Sequence, residues 1–361
     1  MKVVISGYYG FGNAGDEAIL YALIQALRAY DPCIQITVLS DKPEQTEAVY
    51  GVKAVSRWRL IKILRALRVS DGLLSGGGGL LQDETGWKSV FYYTSIMAFA
   101  RLLGKPFVVF AQGVGPMRYG FNRKLAKSVL SMASWVSVRD EGSRELLKEI
   151  GIDKEMKVVP DPAIALGEGL KVVKSEGVPT VVVSVRWWSS RNNFKKKVAS
   201  ALDRCARQGY RIVFLPMHGK EDQSASEEVL TLMKEPASIT SCDASFEEKL
   251  RLVGQADVVF GMRLHSLIFA AVNRVPFVAL SYDPKVDAFT NQCCQPLLGS
   301  VDDLWGEKDL YDQIVHQVNH GHLESARLDT LISHLKEDIY SAAQQALAVM
   351  NTTFQKRIRP F

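Results

Sequence analysis

Short apolar runs alternate with longer stretches of helical periodicity along the whole chain. Val3–Ser6 is β-branched and apolar, and a glycine-rich turn leads from it into a helix from about Glu17 to Ala29. Ile34–Leu39, Asp71–Leu74, Phe107–Phe110, Trp135–Val138 and Val158–Val159 follow as strands, with helical stretches between most of them. Strands separated by helices predict a parallel sheet covered on both faces. The pattern breaks at Pro160-Asp-Pro-Ala, followed by Gly167-Glu-Gly and Lys174–Gly177, and a domain boundary is expected there.

A second series then starts afresh. Thr180–Val185 is a strand, Lys195–Gln208 a helix and Arg211–Leu215 a strand. Phe246–Gly254, Asp257–Phe260, Leu264–Val272 and Pro276–Leu280 continue the alternation, and Asp303 to about Met350 reads as helices. The expectation is therefore an α/β protein of GT-B-like architecture: two Rossmann-like domains, 1–165 and 176–340, whose parallel sheets face across a cleft. Residues 341–361 form a closing helix or tail that crosses back to the first domain. Ligands of such sheets sit beyond the carboxyl ends of the strands, so the loops after each strand are where chemistry is sought.

Composition narrows the class. The chain has 361 residues, 47% of them hydrophobic and 23% charged, enough to bury two cores. A net charge of +5 is mild. It suits anionic small molecules or a membrane surface and argues against nucleic acid as a partner. The five cysteines are scattered, and the adjacent Cys293-Cys294 reads as reduced thiols. Neither cysteines nor histidines are read as a metal site, so no catalytic metal is expected. The N-terminus enters a strand at once and no apolar run spans a bilayer, so a cytoplasmic protein is expected.

The chemistry-bearing groups fall at predicted strand ends. Gly10-Phe-Gly12-Asn-Ala-Gly15 matches a dinucleotide loop in form, and Asp41 follows the second strand, which keeps a nicotinamide or flavin enzyme in view. Against it, Asp16 and Glu17 stand where a pyrophosphate would sit at the helix start. The loop is read instead as presenting Gly12, Asn13 and Asp16 to sugar hydroxyls, or as a plain tight turn. Gly76–Gly79 is a second glycine run, in which Gly77 and Gly78 bring backbone N–H groups close to a ligand, and Gln112-Gly-Val-Gly-Pro116 is a weaker one. Gly261-Met-Arg-Leu-His265 is a strand end running into a helix. Arg263 and the helix N-terminus favour an anion, an imidazole such as that of His265 can exchange a proton in acid–base chemistry, and Ser266 adds a donor. Lys285 follows the next strand, Arg139 and Arg186 follow two others, and His218 follows Arg211–Pro216 with Glu221 and Asp222 beside it. Together these suit a small, multiply charged ligand.

Gly12-Asn-Ala-Gly-Asp16, the 76–79 glycine run, Val138-Arg-Asp140, Gly261–His265 and Tyr282-Asp-Pro-Lys285 occur in the order found in the polysaccharide pyruvyl transferase family, which the chain resembles over nearly its whole length. The resemblance implies phosphoenolpyruvate as donor and substrate, no cofactor, and a glycan as acceptor. It implies that Arg263, His265, Lys285 and Arg139 contact or activate the donor, and the strand-end reading adds Arg186, Ser266, His218 and Gly261 to the anion site. Gly12, Asn13, Asp16, Gly77 and Gly78 fall to the acceptor side. In bacterial cell-wall members the acceptor is a lipid-diphosphate-linked glycan ending in N-acetylmannosamine, and the product anchors surface-layer proteins. One local feature agrees. Residues 57–68 read as a basic amphipathic helix with Leu60, Ile61, Leu64 and Leu67 on one side and Arg59 and Lys62 opposite. It suits peripheral contact with the inner membrane face, or an ordinary solvated helix face. A nucleotide-sugar glycosyltransferase and a non-catalytic glycan-binding module remain the competing readings.

Overall fold

The computed structural model describes residues 1–84, 86, 88–166, 177–190 and 192–358, with side chains to 352. The glycine and lysine breaks expected at 167–176 lie outside the described residues.

Seven strands build the first sheet: β1 (Lys2–Tyr9), β2 (Gln35–Ser40), β3 (Lys53–Ser56), β4 (Gly72–Gly76), β5 (Phe107–Gln112), β6 (Trp135–Val138) and β7 (Lys157–Val158). All pairings are parallel, in the order β3-β2-β1-β4-β5-β6-β7. The chain reverses direction of growth between β1 and β4, which opens a crevice at their carboxyl ends. Every residue of β4 and β5 is buried, as expected for strands covered by helices on both faces. That is why their sequences read as unbroken apolar runs rather than alternating ones. Leu73, Phe107, Val109, Val136, Met97 and Leu130 lie in one core cluster of this unit.

Six further strands form a second parallel sheet: β8 (Thr180–Ser184), β9 (Arg211–Phe214), β10 (Ser238–Ile239), β11 (Val258–Gly261), β12 (Phe277–Ser281) and β13 (Leu297–Ser300). Their order is β10-β9-β8-β11-β12-β13, the same winding, with its switch point between β8 and β11. Val183, Phe214, Phe260, Leu280 and Ile314 lie in its core.

By contact the chain divides into Met1–Phe11, Asp16–Ala165 and Leu335–Phe361 as one unit, and Gly12–Gly15 with Leu166–His334 as the other. The long helix Gly321–Ile358 thus serves both. The tetrapeptide Gly12–Gly15 belongs by its contacts to the second unit although it directly follows β1. Ala14 N donates to Met217 O at 3.3 Å, and Asn13 makes an antiparallel bridge with His218.

The expected helix over 57–68 is corrected. It runs Leu60–Val69, and Arg57 precedes it as a buried residue. Its buried face is Ile63 and Leu67, one turn apart. Leu60 and Ile61 are exposed, so they do not share the side that packs. Lys62, Arg65 and Arg68 are exposed opposite that buried face, so the helix is amphipathic, with Leu60 and Ile61 added to its solvent side. Among the described residues no helix is long and apolar enough to cross a membrane.

Candidate active site

In the second unit the unusual residues converge because adjacent parallel strands all end on the same side. β8 runs out toward Arg186, β9 toward His218, β11 toward Arg263 and His265, and β12 toward Tyr282 and Lys285. Arg263 is the N-cap of the helix Leu264–Val272. Its guanidinium grips Asp222, which is fully buried on the neighbouring helix Gly219–Leu232. Nε approaches both carboxylate oxygens at 3.1 and 2.9 Å, and Nη2 bonds Oδ1. Asp222 also accepts from the backbone N–H of His218 at 2.9 Å and of Met217 at 3.3 Å. Burial works against the charge on Arg263, and the Asp222 hydrogen bonds more than offset it, raising its pKa. The guanidinium is thus a fixed cation with one edge, Nε and Nη2, already spoken for.

His218 lies beside this pair. Burial first, and then the Arg263 charge, lower its pKa from the ordinary histidine value. The imidazole is held neutral at pH 7 and can accept a proton or a hydrogen bond. Arg186 stacks on Tyr282, with Cζ 4.4 Å from the ring centroid, and on Trp188 at 5.2 Å. Lys285 Nζ reaches the same Tyr282 ring at 5.7 Å and bonds Asp283 Oδ2 at 2.7 Å. Asp283 in turn caps the helix Pro284–Gln292, accepting from Lys285 N. The aromatic rings orient both cations; Lys285 is paired with Asp283, while the rings hold Arg186 without neutralising its charge.

His265 occupies the first turn of the helix Leu264–Val272, and its ring lies against the Cα of Gly15. A Cβ on Gly15 would overlap the imidazole at Nδ1, Cγ and Cε1. Gly15 lies inside the helix Ala14–Tyr30, where alanine is otherwise preferred by ~1 kcal/mol. Glycine here makes room for the imidazole. Gly15→Ala is expected to displace the His265 ring and cut turnover by ten- to a hundredfold, since misplacement of about 1 Å carries that cost. Steady-state rates beside a far-UV spectrum of the variant check this. Wild-type turnover would remove the constraint.

Two expected ligand-binding groups make internal hydrogen bonds. Ser266 Oγ donates to the Arg263 carbonyl at 2.6 Å, and Asn13 Oδ1 accepts from Gly15 N at 3.0 Å. Ser266 therefore holds the N-cap rather than offering its proton to an anion, and Asn13 begins a helix. Gly261 ends β11 with Ser266 Oγ and Leu267 Cδ2 both 2.6 Å from where its Cβ would be. Its role is close packing.

In the first unit the structure gathers Asp16, Gly77, Gly78 and Arg139. A Cβ on Gly78, which has φ +75°, would lie 2.7 Å from Asp16 Oδ1. Gly113 N donates to Gly78 O at 2.9 Å, and Arg139 Nη2 lies 2.6 Å from a Cβ built on Gly113. Arg139 pairs with Asp161 at 3.3 Å and Asp140 at 3.6 Å, so it arrives already compensated by two carboxylates. Gln112 is fully buried here, and its side-chain amide atoms have no hydrogen-bond partner among the described residues. Gly12 lies in the tetrapeptide assigned to the second unit, at φ +73°.

Sequence reasoning underrated Asp222, Tyr282 and Trp188. A carboxylate after β9 was visible, but its pairing with a residue 41 positions on was not. His316 and His320 also stand four apart, a spacing the metal expectation passed over. Their rings stack at 4.1 Å on an exposed surface. Among the described residues no group of three or more potential metal ligands occurs. The five cysteines are free thiols, and burial pushes those of Cys205 and Cys293 up to about 12.

A doubly wound pair of α/β units with an arginine, a lysine and imidazoles at the strand ends defines an enzyme that handles an anionic group. Solved structures bear out the fold. The chain superposes on UDP-GlcNAc 2-epimerase from Neisseria meningitidis bound to UDP-GlcNAc, with TM-score 0.61, 13% identity, and 99% and 100% of the two chains covered. It matches Anabaena Alr3699/HepE in complex with UDP at TM-score 0.65, 12% identity, and 98% and 100% coverage. The architecture is GT-B-like. The chain belongs to the polysaccharide pyruvyl transferase family, whose model matches residues 13–284. It is also 20% identical to the amylovoran biosynthesis protein AmsJ of Erwinia amylovora, over 88% of this chain and 94% of that one. The protein is therefore a transferase that moves pyruvyl groups onto polysaccharide.

Proposed function

We propose that the donor is phosphoenolpyruvate and that the product is a cyclic 4,6-ketal on a sugar, N-acetylmannosamine of a lipid-diphosphate-linked cell-wall glycan. The observation that supports this best is the cluster of Arg186, Arg263 and Lys285 beside two imidazoles at neighbouring strand ends of one unit. Phosphoenolpyruvate carries a carboxylate and a phosphate, and guanidinium forks match both. Protonation of its C3 makes C2 electrophilic. One sugar hydroxyl adds at C2 and loses its proton, the C2–O bond to phosphate breaks, and a second hydroxyl closes the ketal. The net change is donor plus diol to ketal plus inorganic phosphate, with no redox step. His265 is the general acid–base in this reading, and the cations stabilise charge on the departing phosphate.

The test supplies phosphoenolpyruvate and a glycan acceptor in deuterated water. Phosphate release is expected to match acceptor modification, the acceptor gaining pyruvate less water, and the new methyl group is expected to carry one deuterium. A second reading, nucleotide-sugar glycosyl transfer, draws on the UDP ligands named for the similar folds. Turnover with a nucleotide sugar and none with phosphoenolpyruvate would establish it instead.

A lipid-linked acceptor brings the enzyme to the inner membrane face. Trp58, Leu60 and Ile61 are exposed, at 64%, 48% and 67%, among the exposed Arg59, Lys62 and Arg65. Apolar groups interleaved with cations suit the interface of an anionic leaflet. Arg59→Glu with Lys62→Glu is expected to abolish flotation with vesicles containing phosphatidylglycerol. Flotation equal to wild type would leave the segment an ordinary surface.

A further inference from the structure

The first unit holds an aromatic cluster that the donor chemistry does not use. Arg57 is buried, with Nη1 donating to Gly7 O at 2.9 Å and Nη2 to Tyr93 Oη at 3.2 Å. Five rings surround its guanidinium: Tyr92 at 4.5 Å, Phe11 at 4.9 Å, Trp58 at 5.3 Å, Tyr93 at 5.5 Å and Tyr8 at 6.0 Å. Tyr8 and Phe11 stack at 4.1 Å and 11°. Trp58 stays 64% exposed, yet its indole Nε1 is tied to Asp41 Oδ1 at 2.6 Å, and Tyr92 Oη donates to Arg57 O at 3.1 Å.

Rings recruited only for packing are buried, as Tyr9 and Phe110 of the same sheet are. These are different. Tyr8, Phe11 and Tyr92 are half-buried, and a cation at their centre and hydrogen bonds at their edges fix their orientation. Tyr8 and Phe11 stand at the carboxyl end of β1 and Trp58 just beyond that of β3, where sheets of this kind receive ligands, and Tyr92 joins them from the helix Lys88–Leu102. Ring faces carry partial negative charge, and the C–H groups on one face of a pyranose carry partial positive charge. A rigid aromatic surface of this kind takes a sugar ring at little entropic cost.

We infer that Tyr8, Phe11, Trp58 and Tyr92, fixed around Arg57, form a stacking platform for a pyranose ring of the acceptor glycan, with Arg57 as the positioning residue. This rests on a glycan being the acceptor, but not on the identity of the donor. The experiment pairs Phe11→Leu with Trp58→Leu, which keeps apolar bulk and removes the rings from exposed or half-exposed positions. A water-soluble oligosaccharide ending in N-acetylmannosamine is the probe. Its KM is expected to rise about tenfold or more, with kcat and the KM for phosphoenolpyruvate within about twofold of wild type. Trp58→Phe is expected to keep most of the affinity. Direct binding of the oligosaccharide without donor, read by fluorescence titration of the wild type and by calorimetry of both proteins, is expected to weaken in parallel. That measurement holds even if phosphoenolpyruvate proves not to be the donor. Unchanged oligosaccharide affinity in the double variant overturns the platform. If vesicle flotation falls with Phe11→Leu alone, which lies outside the Trp58–Arg65 segment, while oligosaccharide affinity is unchanged, the aromatic surface is a lipid contact.

Discussion

Asp222→Ala is expected to destabilise the protein by about 3–5 kcal/mol, the scale seen when one partner of a buried ion pair is removed. Asp222 is fully buried and Arg263 is 17% exposed. Deleting the carboxylate leaves the guanidinium without its counter-charge and the N–H groups of Met217 and His218 without their acceptor. Whole-domain stabilities are commonly 5–15 kcal/mol, so this one change consumes a large share. Denaturant unfolding followed by circular dichroism measures it, with exposed Glu221→Ala as a control expected within ~0.5 kcal/mol. A loss below ~1 kcal/mol for Asp222→Ala would mean that water or a rearranged side chain replaces the pair. Asp222→Asn separates folding from function. The amide keeps part of the hydrogen bonding but not the charge. It is expected to fold more stably than the alanine variant while still losing turnover, because Arg263 loses the charged partner that fixes its orientation.

That pair also shows where sequence reading stops. The elements carrying it were legible. The strand 135–138 and the helices 246–254 and 264–272 have the bounds that the apolar periodicity gives. Internal strands such as β5 and β12 announced themselves because burial on both faces demands unbroken apolar runs. The edge strands β3 and β10 did not, since four and two residues with polar neighbours carry no usable period. β13 was missed because Gly299 interrupts it. Strand-end residues were legible as candidates by the rule that ligands gather there. Which partner each side chain takes was not, because pairing is fixed by tertiary packing. Arg263 reads as a free cation in sequence and is bonded to Asp222. Arg57 reads as one charge of a basic helix and is a buried hub of aromatic rings. Gly12–Gly15 reads as the turn of the first sheet, and its contacts belong to the second unit. In each case a short segment's local signal was sound and its long-range partner decided the role.

His265→Ala is expected to lower kcat by about 10²–10⁴-fold, the contribution of a positioned general acid–base group, with little change in unfolding free energy. The imidazole lies in the first helical turn against glycine, where alanine fits and is a better helix former. Loss of activity therefore cannot be assigned to loss of the fold. His265→Gln, which keeps a polar group of similar reach without a titratable proton, is expected to be as inactive as alanine. If glutamine restores activity, the residue orients substrate and does not transfer a proton. The pH profile makes the same division. A proton-transferring imidazole contributes a limb to the kcat profile near its own pKa, and that limb is expected to vanish with the residual activity of the alanine variant. The neighbouring His218 provides the internal comparison. Burial and Arg263 hold its pKa below the ordinary value, so its titration lies on the acid side of neutrality. His218→Ala is therefore expected to keep the limb that His265→Ala loses. A profile that loses its limb in the His218 variant and keeps it in the His265 variant would transfer the acid–base role from one imidazole to the other.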